Sequence, residues 1–158
     1  METAMSTADP TTTGRDYSTS FTVEQSPEVV YAAIVNVAAW WTGQVEGRAD
    51  EPGAQFSYRH LPQHFSRQQV VELDPSRRVV WRVVDSDLAF TSEPGEWTGS
   101  RIVFDIVPAA DGTELRFTHI SLMPNVECFG ACSTAWRHYI NGSLHNLITA
   151  GEGLPDPW

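Results

Sequence analysis

From Tyr17 onward, hydrophobic and polar positions alternate in short runs, and twice the rhythm changes to a helical one. In "YSTSFTVEQ" (17–25) Phe21 and Val23 share one face, which predicts a strand. "SPEVVYAAIVN" follows: Ser26 is a good N-cap, Pro27 suits the first helical position, and Glu28 complements the helix N-terminus. Val30, Ile34 and Val37 then form one stripe. A short second helix is expected to carry Trp40 and Trp41 and to end at Gly43. Successive strands come next, in "GQVEGRA", "AQFSYRHL" with Phe56 and Tyr58 alternating, "FSRQQVVEL", and "RRVVWRVVD" beyond a "DPS" turn. In the last of these Val79, Trp81 and Val83 share a face opposite Arg82. "SDLAFTSEPGEWTG" reads as a long loop.

"SRIVFDIVPAADGTELRFTHISL" is the clearest hairpin, with Asp111-Gly112 as its turn signal. If those two residues form the loop, Ile106 opposes Phe117 and Phe104 opposes His119. A loop two residues longer changes the partners but keeps Ile102, Phe104, Ile106, Leu115, Phe117 and His119 on one face. The period then changes. Phe129, Cys132, Trp136, Tyr139, Ile140, Leu144 and Leu147 recur at helical spacing, with Gly151 as C-cap and Pro155 beyond it. The expected fold is α+β: a curved antiparallel sheet of six to seven strands around a long C-terminal helix over about residues 127–150. Two short helices follow strand 1. A pocket between sheet and helix is a natural product of that shape.

The chain of 158 residues suits one domain. Residues 1–16, polar and rich in Thr, read as a disordered leader, 17–154 as the domain and 155–158 as a tail. The leader lacks an apolar signal-peptide core, and no apolar run approaches a membrane span. Two cysteines, Cys128 and Cys132, fit a reducing cytoplasmic setting. The net charge of −10 disfavours nucleic-acid binding. All ten basic residues are arginine, which removes Schiff-base and P-loop lysine chemistry.

Four segments carry a resemblance to a known family: "TVEQSPEVVYAAIVNVAAWW", "DEPGAQFSY", "VVELDPSRRVVW", and "DGTELRFTH" with "WRHYINGSLHNLITAGEG". In order and spacing, over about residues 17–154, the chain resembles the helix-grip fold of the START-like (SRPBCC) superfamily. Within it, the chain is similar to stand-alone domains related to the activator of heat-shock protein 90 ATPase. The resemblance implies mostly a shape, since the superfamily spans lipid carriers, hormone receptors, polyketide cyclases and hydrolase-like members with no shared catalytic residue. Eukaryotic activators carry an additional chaperone-binding domain for which this sequence has no room, so chaperone stimulation is not expected.

The site expectation is a cavity between the final helix and the inner sheet face. Trp40 or Trp41 stands at its mouth, and Gly43 and Gly47 allow the segment to bend. Phe56, Tyr58, Trp81, Phe104, Phe117, His119, Trp136, Tyr139 and Ile140 supply walls. For each aromatic residue alone, ordinary core is the stronger reading. His119 can transfer a proton or, more simply, bond a structural partner. Arg59 and Arg67 would pair an acidic ligand group only if they pointed inward; the surface is expected. Neither Cys128 with Cys132 nor His60 with His64 has a third ligand in view, so no metal and no cofactor is expected. The leading expectation is non-catalytic binding of a small hydrophobic or aromatic molecule by a monomer or homodimer. The alternatives are a cyclase- or hydrolase-like enzyme on a polyketide-like or aromatic substrate and, more weakly, a co-chaperone.

Overall fold

The structure is a computed structural model and describes residues 17–41, 44–60, 64–88, 98–120 and 129–153. The leader, the tail, Gly43, residues 89–97 of the loop expected over 86–99 and Cys128 lie outside the described residues; residues 86–88 of that stretch belong to the strand before it. Seven strands form one sheet: β1 (Tyr17–Val23), β2 (Gln44–Gly47), β3 (Gln55–His60), β4 (His64–Asp74), β5 (Arg78–Leu88), β6 (Arg101–Ala109) and β7 (Gly112–Ile120). Their order is β1-β7-β6-β5-β4-β3-β2, and every pairing is antiparallel. Between β1 and β2 run helix α1 (Pro27–Val35) and a single 3-10 turn (Val37–Ala39). Among the described residues no helix is long and apolar enough to cross a membrane.

The local signals at α1 act as expected. The Ser26 hydroxyl accepts from the Val29 N–H at 3.3 Å, Pro27 opens the helix, and Val30, Ile34 and then Val37 are buried. The tryptophan pair differs from expectation. The 3-10 turn closes at Trp40, so the rings follow the short helix instead of riding on it. Gly47 sits at φ +107°, where a Cβ would crowd the Phe56 backbone, so glycine is required there to bring β2 against β3.

Sheet curvature has a visible source. The β4–β5 ladder shifts register between Arg67 and Gln68 and again between Val70 and Glu72. Such bulges bend the bulged strand and raise its twist. The β6–β7 hairpin is one step off the Asp-Gly expectation: Ala110 and Asp111 form the loop, and Gly112 already pairs with Ala109. Phe104 therefore opposes Phe117 and His119 opposes Ile102, with the shared face kept. The physical reason is that a Cβ on residue 112 would collide with the Val23 carbonyl, so the glycine serves the approach of β1 rather than the turn.

The final helix runs through three segments: α2 (Phe129–Trp136), a π-helical stretch (Arg137–Leu144) and α3 (His145–Ala150). The backbone stays right-handed helical at both joints. The wider π turns present adjacent pairs to the sheet, Tyr139 with Ile140 and Ser143 with Leu144. Beyond them Ile148 is buried and Leu147 only half-buried, a small change from the expected stripe. Gly151, at φ +86°, caps the helix by donating to the Leu147 carbonyl.

Candidate functional site

The inner sheet face has two unlike ends. Toward the C-terminal end of the final helix it is mainly apolar, with Val79, Phe104, Ile106, Leu115 and Phe117 buried together with Val30 and Ile34 of α1, and with the Thr113 hydroxyl donating to the Gln25 carbonyl. The other end gathers the end of β3, the start of β4, the end of β5, the start of β6 and the end of β7. There the buried residues are Tyr58, Ser66, Gln68, Ser86, Ser100 and His119, and Cys132 and Ser133 are buried on the opening turns of the helix. Polar side chains are seldom buried without a specific bonding role.

Trp40 and Trp41 split between these regions. Both are buried, at 0% and 2% exposure, so neither stands open to solvent as a mouth residue would. Trp40 stacks at 6.3 Å on Trp81, meets Phe104 edge-on at 6.1 Å, and donates its indole N–H to the Ile34 carbonyl. Trp41 faces the polar end, stacked on Tyr58 at 4.3 Å and tilted against Trp136 at 5.1 Å. The Ser143 hydroxyl, turned inward by the π stretch, donates to the Trp40 carbonyl at 2.7 Å and fastens the pair to the helix. Phe56 and Phe104 flank Trp81 at 4.8 Å each, Phe117 lies 4.7 Å from Trp136, and Ile140 is fully buried in the same cluster.

His119 has a defined bonding pattern. The Trp136 indole N–H donates to His119 Nδ1 at 3.0 Å, and Ser100 Oγ lies 2.9 Å from Nε2. An indole nitrogen can only donate, so Nδ1 carries the lone pair and the neutral ring holds its proton on Nε2. Nε2 then donates to Ser100 rather than taking its proton. A Ser–His contact at this distance would otherwise suggest a nucleophile and its base. Tyr58 and Tyr139 join hydroxyls across the interior at 3.0 Å. Gln68 donates through Nε2 to Ser66 Oγ at 2.6 Å, and Ser86 and Thr98 hydroxyls meet at 2.9 Å. Burial raises Tyr17, the β1 partner of His119, above the ordinary phenol range, with Arg137 opposing.

The nine residues expected as walls and the tryptophan pair expected at the mouth are all buried in this one interior, and Arg59 and Arg67 lie on the outside, both over the Phe65 ring. Ser66, Gln68, Ser86 and Ser100 were not foreseen. In "FSRQQV" either alternate set is plausible, because Phe65 and Val70 fall on opposite faces. Pairing with β5 turns Ser66, Gln68 and Val70 inward, with the irregularities falling at Val84 on β5 and Val71 on β4. An open groove of about 360 Å³ lies on the far side of the tryptophan turn, against Val37, Val45, Ala49, Asp50 and Phe56. Among the described residues no three His, Cys, Asp or Glu side chains converge as metal ligands would.

Comparison with known proteins fits this architecture. The dimeric Aha1 of Colwellia psychrerythraea is 23% identical, with 87% of this chain and 98% of that one covered at a TM-score of 0.70. CalU16 of Micromonospora echinospora is 14% identical over 86% of this chain and 77% of its own, at a TM-score of 0.60. DynU16, a protein in the dynemicin biosynthetic locus, is 14% identical at a TM-score of 0.64, with 88% of this chain matching 49% of that one. These likenesses establish a shared fold. Among curated proteins none matches the sequence. Residues 24–149 match the profile described as "Activator of Hsp90 ATPase homolog 1-like protein", and with four-fifths of its length inside that profile the chain belongs to this family.

Proposed function

We propose that the domain binds a small hydrophobic or aromatic molecule, without catalysis, between the final helix and the inner face of the sheet. Trp41, Tyr58, Trp81, His119, Trp136 and Tyr139 border the ligand, with Trp40, Phe56, Phe104, Phe117 and Ile140 as the wall behind them. The carrying observation is the gathering of buried polar side chains at one end of an aromatic interior. Folding alone favours apolar residues there, because each buried polar group must recover its lost hydration. Pocket walls combine apolar surface with a few convergent polar groups in this way. CalU16 and DynU16 offer analogy only, the second through its biosynthetic locus.

Native mass spectrometry of the purified protein, and quenching of tryptophan fluorescence by naphthalene-class probes, test this reading. Saturable quenching, weakened more by Trp41→Ala than by Trp40→Ala, supports it. Equal binding by wild type and both variants, or none by any, rejects it. The proton on His119 Nε2 argues against Ser100 as a nucleophile activated by this ring; aryl-ester hydrolysis that disappears in Ser100→Ala would favour the hydrolase alternative instead. The family name points instead to a chaperone partner, which would need a surface rather than this interior. A saturable rise in Hsp90 ATPase rate would favour that surface. Light scattering after size exclusion decides between monomer and homodimer, the Colwellia relative being a dimer.

A further inference from the structure

Two buried polar atoms stand outside the bonded network of the interior. Gln68 Oε1 and Trp81 Nε1 have no hydrogen-bond partner among the described residues, and both residues are fully buried. One is an acceptor and the other a donor. They are also close. Across the β4–β5 ladder Gln68 opposes Val83 and Val70 opposes Trp81, which makes Gln68 and Trp81 diagonal neighbours on the inner face. The backbones of such neighbours lie about 7–8 Å apart, within mutual reach of long and aromatic side chains, so one small polar group can face both. Phe56 stands beside both, opposite Gln68 in the β3–β4 register and 4.8 Å from the Trp81 ring. Gln68 Nε2 donates to Ser66 Oγ, and the amide oxygen is the end left available.

A core that served only packing would gain from an apolar side chain at either position, since an unmet buried donor or acceptor carries its full desolvation penalty. One chemical group meets both needs at once. A hydroxyl oxygen accepts from Trp81 Nε1 while its proton goes to Gln68 Oε1. A ketone, ether or carboxylate answers only Trp81, an amine chiefly Gln68, and a hydrocarbon neither. The flanking rings of Phe56 and Trp41 favour an aromatic body on that hydroxyl. Resting on the interior-binding reading above, we propose that Gln68 and Trp81 form the recognition pair for a hydroxyl-bearing aromatic ligand of the phenol class.

Titrating the full chain with 2-naphthol and with naphthalene, followed by NMR, tests the pair. A purely apolar site prefers naphthalene, the more hydrophobic of the two. The recognition pair should instead favour 2-naphthol by about tenfold, and Gln68→Met and Trp81→Phe should each abolish that preference. Thermal melts establish that the variants fold. Should either fail to fold, the wild-type Trp81 indole N–H resonance decides: it shifts with 2-naphthol and not with naphthalene if the proposal holds. Binding of both probes without a naphthol preference, or a preference that survives both substitutions, overturns the pair and leaves interior binding intact. Such a result would mean that structural water or nothing occupies the bridge. Binding of neither probe overturns both.

Discussion

The two ends of the interior are built from the same strands with opposite chemistry. At the apolar end Val79, Phe104, Ile106 and Leu115 are buried with Val30 and Ile34 of α1, and the buried polar residue there, Thr113, spends its hydroxyl on the Gln25 carbonyl. At the other end, along the same inner rows, the strands bury Ser66, Gln68, Ser86, Ser100 and His119. The rings of Trp40 and Trp41 span the boundary, 6.1 Å apart and nearly parallel. The contrast teaches that the apolar end holds the fold together and that the polar end is over-specified for that task. Substitutions should therefore separate the two by how stability and binding respond.

The largest effect belongs to the apolar end. Phe104→Ala removes a fully buried ring that touches Trp40, Trp81 and Phe117. Denaturant unfolding should show a loss of about 3–5 kcal/mol; a loss below about 1 kcal/mol would erase the distinction between the ends. An intermediate effect is expected for His119→Leu, which takes the acceptor from Trp136 Nε1 and the partner from Ser100. About 1–3 kcal/mol should be lost by the same measurement, because the indole donor and the hydroxyl acceptor that lose this partner are buried. A smaller effect is pH-dependent. Burial holds Tyr17 above its ordinary value of 10.0, so the folded state keeps that proton more tightly than the unfolded chain. Its contribution is complete below pH 10.0 and is lost as pH rises through the raised value. Tyr17→Phe should make the alkaline fall in stability shallower, and an unchanged slope in melts between neutral and strongly alkaline pH would refute this. The smallest effect is at Gln68, where Met removes an unmet acceptor together with the bond to Ser66: the two changes offset, and stability should stay near wild type while the hydroxyl preference disappears.

Much of the fold was legible because local signals and burial agree. Ser26, Pro27 and the Val30–Ile34–Val37 stripe specify α1, and alternation puts Phe104, Phe117 and His119 on one face whatever the loop length. What escaped depended on contacts between distant segments. The Asp-Gly signal misplaced the hairpin by one step because Gly112 answers to Val23 on β1, far away in sequence. The inward set of β4 follows from its pairing with β5, which the alternation of β4 alone leaves open. The π stretch follows from presenting two neighbouring side chains per turn, Tyr139 with Ile140 and Ser143 with Leu144, a demand set by the sheet beneath. Trp40 and Trp41 looked alike in sequence; the indole bond of Trp40 to the Ile34 carbonyl and the stacking of Trp41 on Tyr58 assign one ring to each region.

The measurement that bears most directly on interior binding is a map of NMR shift changes on titration with 2-naphthol. Saturable changes should concentrate at the polar end, on the indole N–H groups of Trp41, Trp81 and Trp136 and on the His119 ring, with little change at Asn36, Arg48 and Asp50 along the outer groove. Changes confined to that groove, with the interior indoles silent, would contradict interior binding.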